Sequence, residues 1–132
     1  MCRVLLDTSF LIDLMNSDEG AISKARELEE NLIQQRLSSM TLFELFYGIA
    51  RSNQSDAERE KVETVLSSKP VHPADTAVMR KAGRLSGQLV NEGNTVDDGD
   101  VIIAATADVV DEPVLTRNLK DFERLDVETE TY

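Results

Sequence analysis

The chain has 132 residues, 41% of them hydrophobic, with 25 acids against 14 bases and a net charge of −11. That length fits a single domain over residues 1–132, large enough to bury a core without staples, and the lone cysteine, Cys2, excludes an internal disulfide. No apolar run reaches membrane-spanning length, and Asp7 and Asp13 interrupt the only N-terminal apolar stretch, so the expectation is a cytoplasmic protein with no secretory signal.

In chain order, Val4-Leu5-Leu6 reads as a short strand buried on both faces, with Asp7, Thr8 and Ser9 at its C-terminal end. In open α/β sheets that edge binds ligands. Capping of the next helix is the simpler use of these three residues taken alone. Phe10 to Met15 is a short helix and Asn16 to Gly20 a turn. Ala21, Ile22, Ala25, Leu28, Leu32 and Ile33 then recur at helical spacing, with Glu27, Glu29 and Glu30 outside. Arg36 to Ser39 is a second strand. Thr41 and Glu44 match a capping box that opens a helix with the stripe Leu42, Leu45, Phe46 and Ile49. Gly48 on that helix invites a close contact.

Ser55 and Glu58 suggest a second capping box, for a helix ending near Leu66. Pro70 and Pro73 confine Val71-His72 to a short edge strand. Asp75 or Thr76 starts a longer helix with the stripe Val78, Ala82, Leu85 and Leu89, and Gly93 ends it. Gly83 and Gly87 would admit another helix or another subunit. Asn94 to Gly99 is an acidic loop in which Asp97 or Asp98 caps the helix through Val101–Ala107, apolar almost all round and therefore deeply buried. Pro113 to Thr116 is the fourth strand, Arg117 to Leu125 a loop and short helix, and Asp126 to Thr129 a final edge strand. Strands alternating with helices argue for a mostly parallel sheet covered on both faces.

Three acids share one description. Asp7 follows the first strand, Glu44 stands in the first turn after the second, and Asp100 stands in the first turn of the buried helix. Each should lie at the C-terminal rim of the sheet. Helix N-termini also favour carboxylates, so capping competes with catalysis for Glu44. It competes less for Asp100, because Asp97 and Asp98 already supply caps. Carboxylates that converge cannot all stay ionised unpaired. A hard cation relieves them, and Mg²⁺ and Mn²⁺ take oxygen ligands. Such a site suits metal-assisted phosphodiester hydrolysis.

Other chemistries lack their residues. His72 is the sole histidine, which excludes a two-histidine ribonuclease within one chain, and a zinc site lacks its Cys and His ligands. No glycine-rich phosphate loop follows the first strand. Ser9 stands where an aspartyl phosphotransferase would place a second Asp. The negative field repels nucleic acid at low salt. It points to a basic protein partner or to a salt-rich cytoplasm, where screening removes the penalty. The excess of Arg over Lys and the spread of acids suit the latter.

Four segments carry a family resemblance: Leu5-Leu6-Asp7-Thr8-Ser9, Ser38 through Gly48, Asp100 through Ala107, and Leu115 through Phe122. In this order and at this length, essentially the whole chain resembles the PIN-domain family, in particular the VapC toxins of toxin–antitoxin pairs. The resemblance implies a three-layer α/β/α sandwich around a five-stranded sheet and a Mg²⁺- or Mn²⁺-dependent ribonuclease toxin. Asp7, Glu44 and Asp100 match the family's three main acids. Asn118 occupies one usual place of a variable fourth acid, and Asp121 close by is the candidate outer ligand. Ser9 and Thr116 would support the site by hydrogen bonds, or serve only as strand-end hydroxyls. Arg117 and Lys120, with Arg51, Arg80 and Arg84, are candidate RNA phosphate contacts. A homodimer and a VapB-like antitoxin covering the active-site groove are the implied partners. A housekeeping RNA-processing nuclease and a catalytically silent protein-binding domain are the alternatives.

Overall fold

Among the described residues, 2–132 of a computed structural model, five strands and seven helices follow one another as β1 (Arg3–Leu6), α1 (Thr8–Met15), α2 (Glu19–Glu30), β2 (Gln34–Ser38), α3 (Ser39–Arg51), α4 (Ser55–Leu66), β3 (Val71–His72), α5 (Thr76–Asn91), α6 (Asp98–Val110), β4 (Val114–Leu115), α7 (Leu119–Glu123) and β5 (Thr129–Glu130). The sheet order is β3-β2-β1-β4-β5 and every pair is parallel. The first strand is therefore central, flanked by β2 on one side and β4 on the other. The order reverses there, and such a reversal opens a crevice at the carboxyl ends of the strands.

Alternation along β1 divides the core. Val4 and Leu6 join Phe10, Leu11, Leu28, Leu37, Leu45, Ile49 and Val62 beneath α1–α4. Leu5 points the other way, to Val78, Ala82, Leu89, Ile103, Ala104 and Phe122 beneath α5–α7. The result is the expected three-layer α/β/α sandwich. Helix α6 is buried along Val101, Ile103, Ala104, Ala105, Thr106 and Ala107, as its apolar circumference requires. Among the described residues, no helix is long and apolar enough to cross a membrane.

Several local expectations need correcting. Helix α3 begins three residues earlier than the Thr41–Glu44 spacing suggests, because Ser38 closes β2 and accepts the Met40 N–H with its own Oγ. Thr41 is consequently interior, no capping box forms, and Glu44 lies in the second turn. Gln54, not Ser55, precedes α4, so the second capping box is absent too. The stripe of α2 stops before Leu32, which has φ +56° and is 86% exposed. The helix ends at Glu30, with Asn31 as its C-cap residue. A Cβ built at Gly48, Gly83 or Gly87 would meet nothing within 4 Å among the described residues, so no other helix of this chain packs closely there. Strand β5 begins only at Thr129.

Candidate functional site

The crevice is built from two strand ends. The Asp7 N–H donates to the Leu115 carbonyl (2.9 Å), which locks the exits of β1 and β4 together. Asp7 is the N-cap residue of α1 by backbone position, yet its side chain makes no capping bond. Its Oδ2 instead accepts from Ser9 Oγ (2.7 Å) and Thr116 Oγ1 (2.8 Å). Asp7 is 2% exposed, and Oδ1 takes no hydrogen bond among the described residues. The two hydroxyls thus fix one oxygen and leave the other for a ligand. Ser9 and Thr116 hold the site residue itself, beyond closing strand ends. Thr116 Oγ1 also accepts the Asn118 N–H (2.9 Å), and Ser9 Oγ accepts the Arg117 N–H (3.3 Å).

Glu44 arrives on the neighbouring helix. Thr8 Oγ1 donates to its Oε1 at 2.6 Å. That bond steadies the charged form, but burial outweighs it and Asp7 and Asp97 add repulsion, so the carboxyl is held above its usual range. Asp100 comes from the first turn of α6. Its carboxyl is pushed up to about 7, first by burial and then by Asp7, Asp97, Asp121 and Glu44. Asp97 caps α6 by accepting the Gly99 N–H at 3.1 Å, which leaves Asp100 free of that task.

Gly99 was not singled out by sequence, although it makes room for this arrangement. A Cβ built there would stand 2.8 Å from Glu44 Oε2 and 2.9 Å from Asp97 Oδ2. Thr8 is the other addition. Its position directly after Asp7 was the available signal, but its partner Glu44 is 36 residues away and spacing alone does not reveal it.

The remaining candidates differ in placement. Asp121 is close enough to repel Asp100. Asn118 starts α7 without a side-chain capping bond and is exposed. The Arg117 guanidinium is engaged by Asp13, whose other oxygen accepts from Tyr132. Lys120 is exposed and makes no ion pair among the described residues. Arg51 lies over the Tyr47 ring. His72 stays apart, 4.0 Å from Asp75.

The donor set fits a hard divalent cation. All its atoms are carboxylate oxygens, and among the described ion pairs no Lys or Arg neutralises Asp7, Glu44 or Asp100. As placed, the carboxylates repel rather than converge: no three His, Cys, Asp or Glu of the described residues stand close enough to enclose an ion. An apolar groove of about 210 Å³ opens beside Glu44 between α1, α3 and α4, lined by Ile12, Met15, Leu45, Ile49 and Val62.

The sequence profile of the PIN domain matches residues 4–128. The chain is similar to the tRNA(fMet)-specific endonuclease VapC of Salmonella typhimurium, 30% identical over 125 residues that cover 95% of this chain and 93% of that protein. It is likewise similar to the ribonuclease VapC1 of Methanocaldococcus jannaschii, 32% identical over 126 residues covering 93% and 81%. In three dimensions it superposes on a chain of the DNA-bound VapBC complex of Salmonella typhimurium with a TM-score of 0.86, at 28% identity over 99% of this chain and 98% of that one.

Proposed function

The chain belongs to the PIN-domain family, and from that membership we propose that it is a Mg²⁺- or Mn²⁺-dependent endoribonuclease, the toxin of a VapBC-type pair. One observation carries the reading: Asp7, Glu44 and Asp100 stand at the switch point near enough that burial, and then the neighbouring carboxylates, push Asp100 up to about 7, and among the described ion pairs no Lys or Arg neutralises them. A bound cation would relieve that repulsion. Relatives named as ribonucleases support RNA as substrate, and VapBC complexes among the similar structures support a VapB-like antitoxin.

Asp7, Glu44 and Asp100 would hold the cation, with Asp121 as an outer carboxylate. When bound, the ion lowers the pKa of a water and stabilises charge on the phosphodiester. Ser9 and Thr116 fix Asp7 Oδ2, which leaves Oδ1 available to the cation. Thr8 orients Glu44. Asn118, at the start of α7, would orient a water or the neighbouring acid, and Arg117 on the loop after β4 and Lys120 on α7 would meet phosphates, which the acidic surface otherwise repels. A basic antitoxin segment suits both the net charge of −11 and the groove beside Glu44, so its binding would cover the acids. A homodimer completes the reading, supported by exposed Met79 and Val90 on α5. The cytoplasm is where RNA of this kind would be met.

Purified protein incubated with total RNA in Mg²⁺, Mn²⁺ or EDTA, at low and high KCl, tests this against Asp7→Asn. The expected outcome is cleavage that needs the metal and disappears in the variant. Identical RNA patterns for both proteins in every condition would overturn the nuclease reading in favour of a silent binding domain.

A further inference from the structure

Two of the proposed ligands ride on helices that meet below the crevice, and that meeting contains a buried pair of hydroxyls. Ser38, the N-cap residue of α3, and Thr106, in the middle of α6, are both 0% exposed. Their oxygens are 3.1 Å apart. Each hydroxyl has one proton, and the neighbouring bonds settle where it goes. Thr106 Oγ1 donates to the Ile102 carbonyl (2.8 Å). Thr106 therefore accepts from Ser38, and Ser38 in turn accepts the Met40 N–H (3.1 Å). The result is one directed chain of hydrogen bonds, Met40 N–H to Ser38 to Thr106 to the Ile102 carbonyl, with every proton used.

The chain begins in the first turn of α3 and ends beside the first turn of α6. Glu44 lies six residues beyond Ser38, and Asp100 six residues before Thr106. At about 1.5 Å per residue, each carboxylate sits roughly 9 Å along its helix from the bond. A tilt of a few degrees at the bond therefore moves either carboxylate by a sizeable fraction of an ångström. Met40 of α3 also packs against the apolar core that α6 helps to build, and apolar packing is tolerant in direction. A hydrogen bond is directional. In a dry interior it has no water to substitute for a lost partner.

We propose that Ser38 and Thr106 are positioning residues, whose hydroxyl bond sets the separation of Glu44 and Asp100 and so the metal affinity of the site. This rests on the metal-dependent reading above. Both residues are fully buried.

The test is Mn²⁺ binding by calorimetry to the full chain and to Thr106→Val, Thr106→Ser and Thr106→Ala, with thermal melts of the metal-free proteins alongside. Val keeps the volume and loses the hydroxyl, whereas Ser keeps the hydroxyl and loses the methyl. Ala loses both, so Ser and Ala form a second matched pair should Val not fold. If the hydroxyl positions the ligands, Val and Ala weaken Mn²⁺ binding about tenfold or more, and Ser stays within about threefold of the parent. RNA cleavage at saturating Mn²⁺ should fall in Val with KM little changed, since misplacement by about 1 Å costs up to about 10²-fold in rate. Mn²⁺ affinity that survives in Val within twofold, or a loss that follows the methyl rather than the hydroxyl, overturns the proposal. A parent protein that takes up no Mn²⁺ would instead bring down the metal reading on which the proposal stands.

Discussion

At Asp100 the fold works against its own charge. The carboxyl titrates near 7 in the folded chain because of burial and four acidic neighbours, and near about 3.9 in an unfolded one. The folded state then binds more protons than the unfolded state between these values, so the stability of the metal-free protein falls as pH rises from about 4 to about 7. Asp100→Asn should flatten that part of the melting profile and raise the melting temperature above pH 7. A clear drop for the variant at pH 8 would show that Asp100 supports the scaffold instead. Saturating Mn²⁺ should reverse the slope in the parent, because metal competes with protons for the same oxygens. Gly99 makes a second residue-level case. Its added methyl would meet the carboxylates of Glu44 and of Asp97, so the Asp97 cap on the Gly99 N–H must shift, which offsets the gain of up to about 1 kcal/mol that Ala brings as a helix former. Gly99→Ala should therefore melt close to the parent, yet lose at least tenfold in cleavage by displacing Glu44. Equal activity would show that Glu44 has room to spare.

Elements follow local chemistry where signals are short-range and depart where they compete. The two-sided core of β1, the buried α6, the proline-bounded β3 and the Asp75 cap of α5 were legible because each depends on neighbours in sequence. The start of α3 was not. Ser38, Ser39 and Thr41 all offer a capping hydroxyl, and only tertiary contacts decide that Thr41 meets Thr8 at 3.1 Å while Ser38 caps. The same competition hid Thr8 as the partner of Glu44. Asp7 and Asp100 stand out in the sequence because one directly follows a strand and the other opens a helix, whereas Glu44 stands out through a capping box that does not form. Their spacing around the crevice was not legible, since repulsion and hydroxyl bonds set it. The opposite ends of the strands provide a control. Arg36 on β2 reaches Glu112 before β4 at 2.9 Å, with only 3% of the Glu112 side chain exposed and no well-aligned hydrogen bond to either of its oxygens. Removing one partner of a buried pair leaves the other charge uncompensated, so Glu112→Ala should cost about 3 kcal/mol or more. It should do so without changing cleavage per folded molecule, as measured by urea melts and initial rates side by side.

For the molecule as a whole, a net charge of −11 over 132 residues means self-repulsion that salt can screen. The Debye length falls from about 10 Å at 0.1 M salt to about 3 Å at 1 M, so the melting temperature should climb with KCl across that range. A flat response would leave complementarity to a basic partner as the reason for the charge. The sheet order has a consequence in time as well as in space. The central strand is the first to be made, but the Thr116 hydroxyl that fixes Asp7 lies 109 residues further on. A chain leaving the ribosome carries Asp7 and Glu44 early and can pack α1–α4 against a half-built sheet. It cannot close β1 on β4 until β4 has emerged. For the nuclease proposed here, a chain whose synthesis stops anywhere upstream of β4 lacks the hydroxyl that fixes Asp7 and should leave RNA uncut.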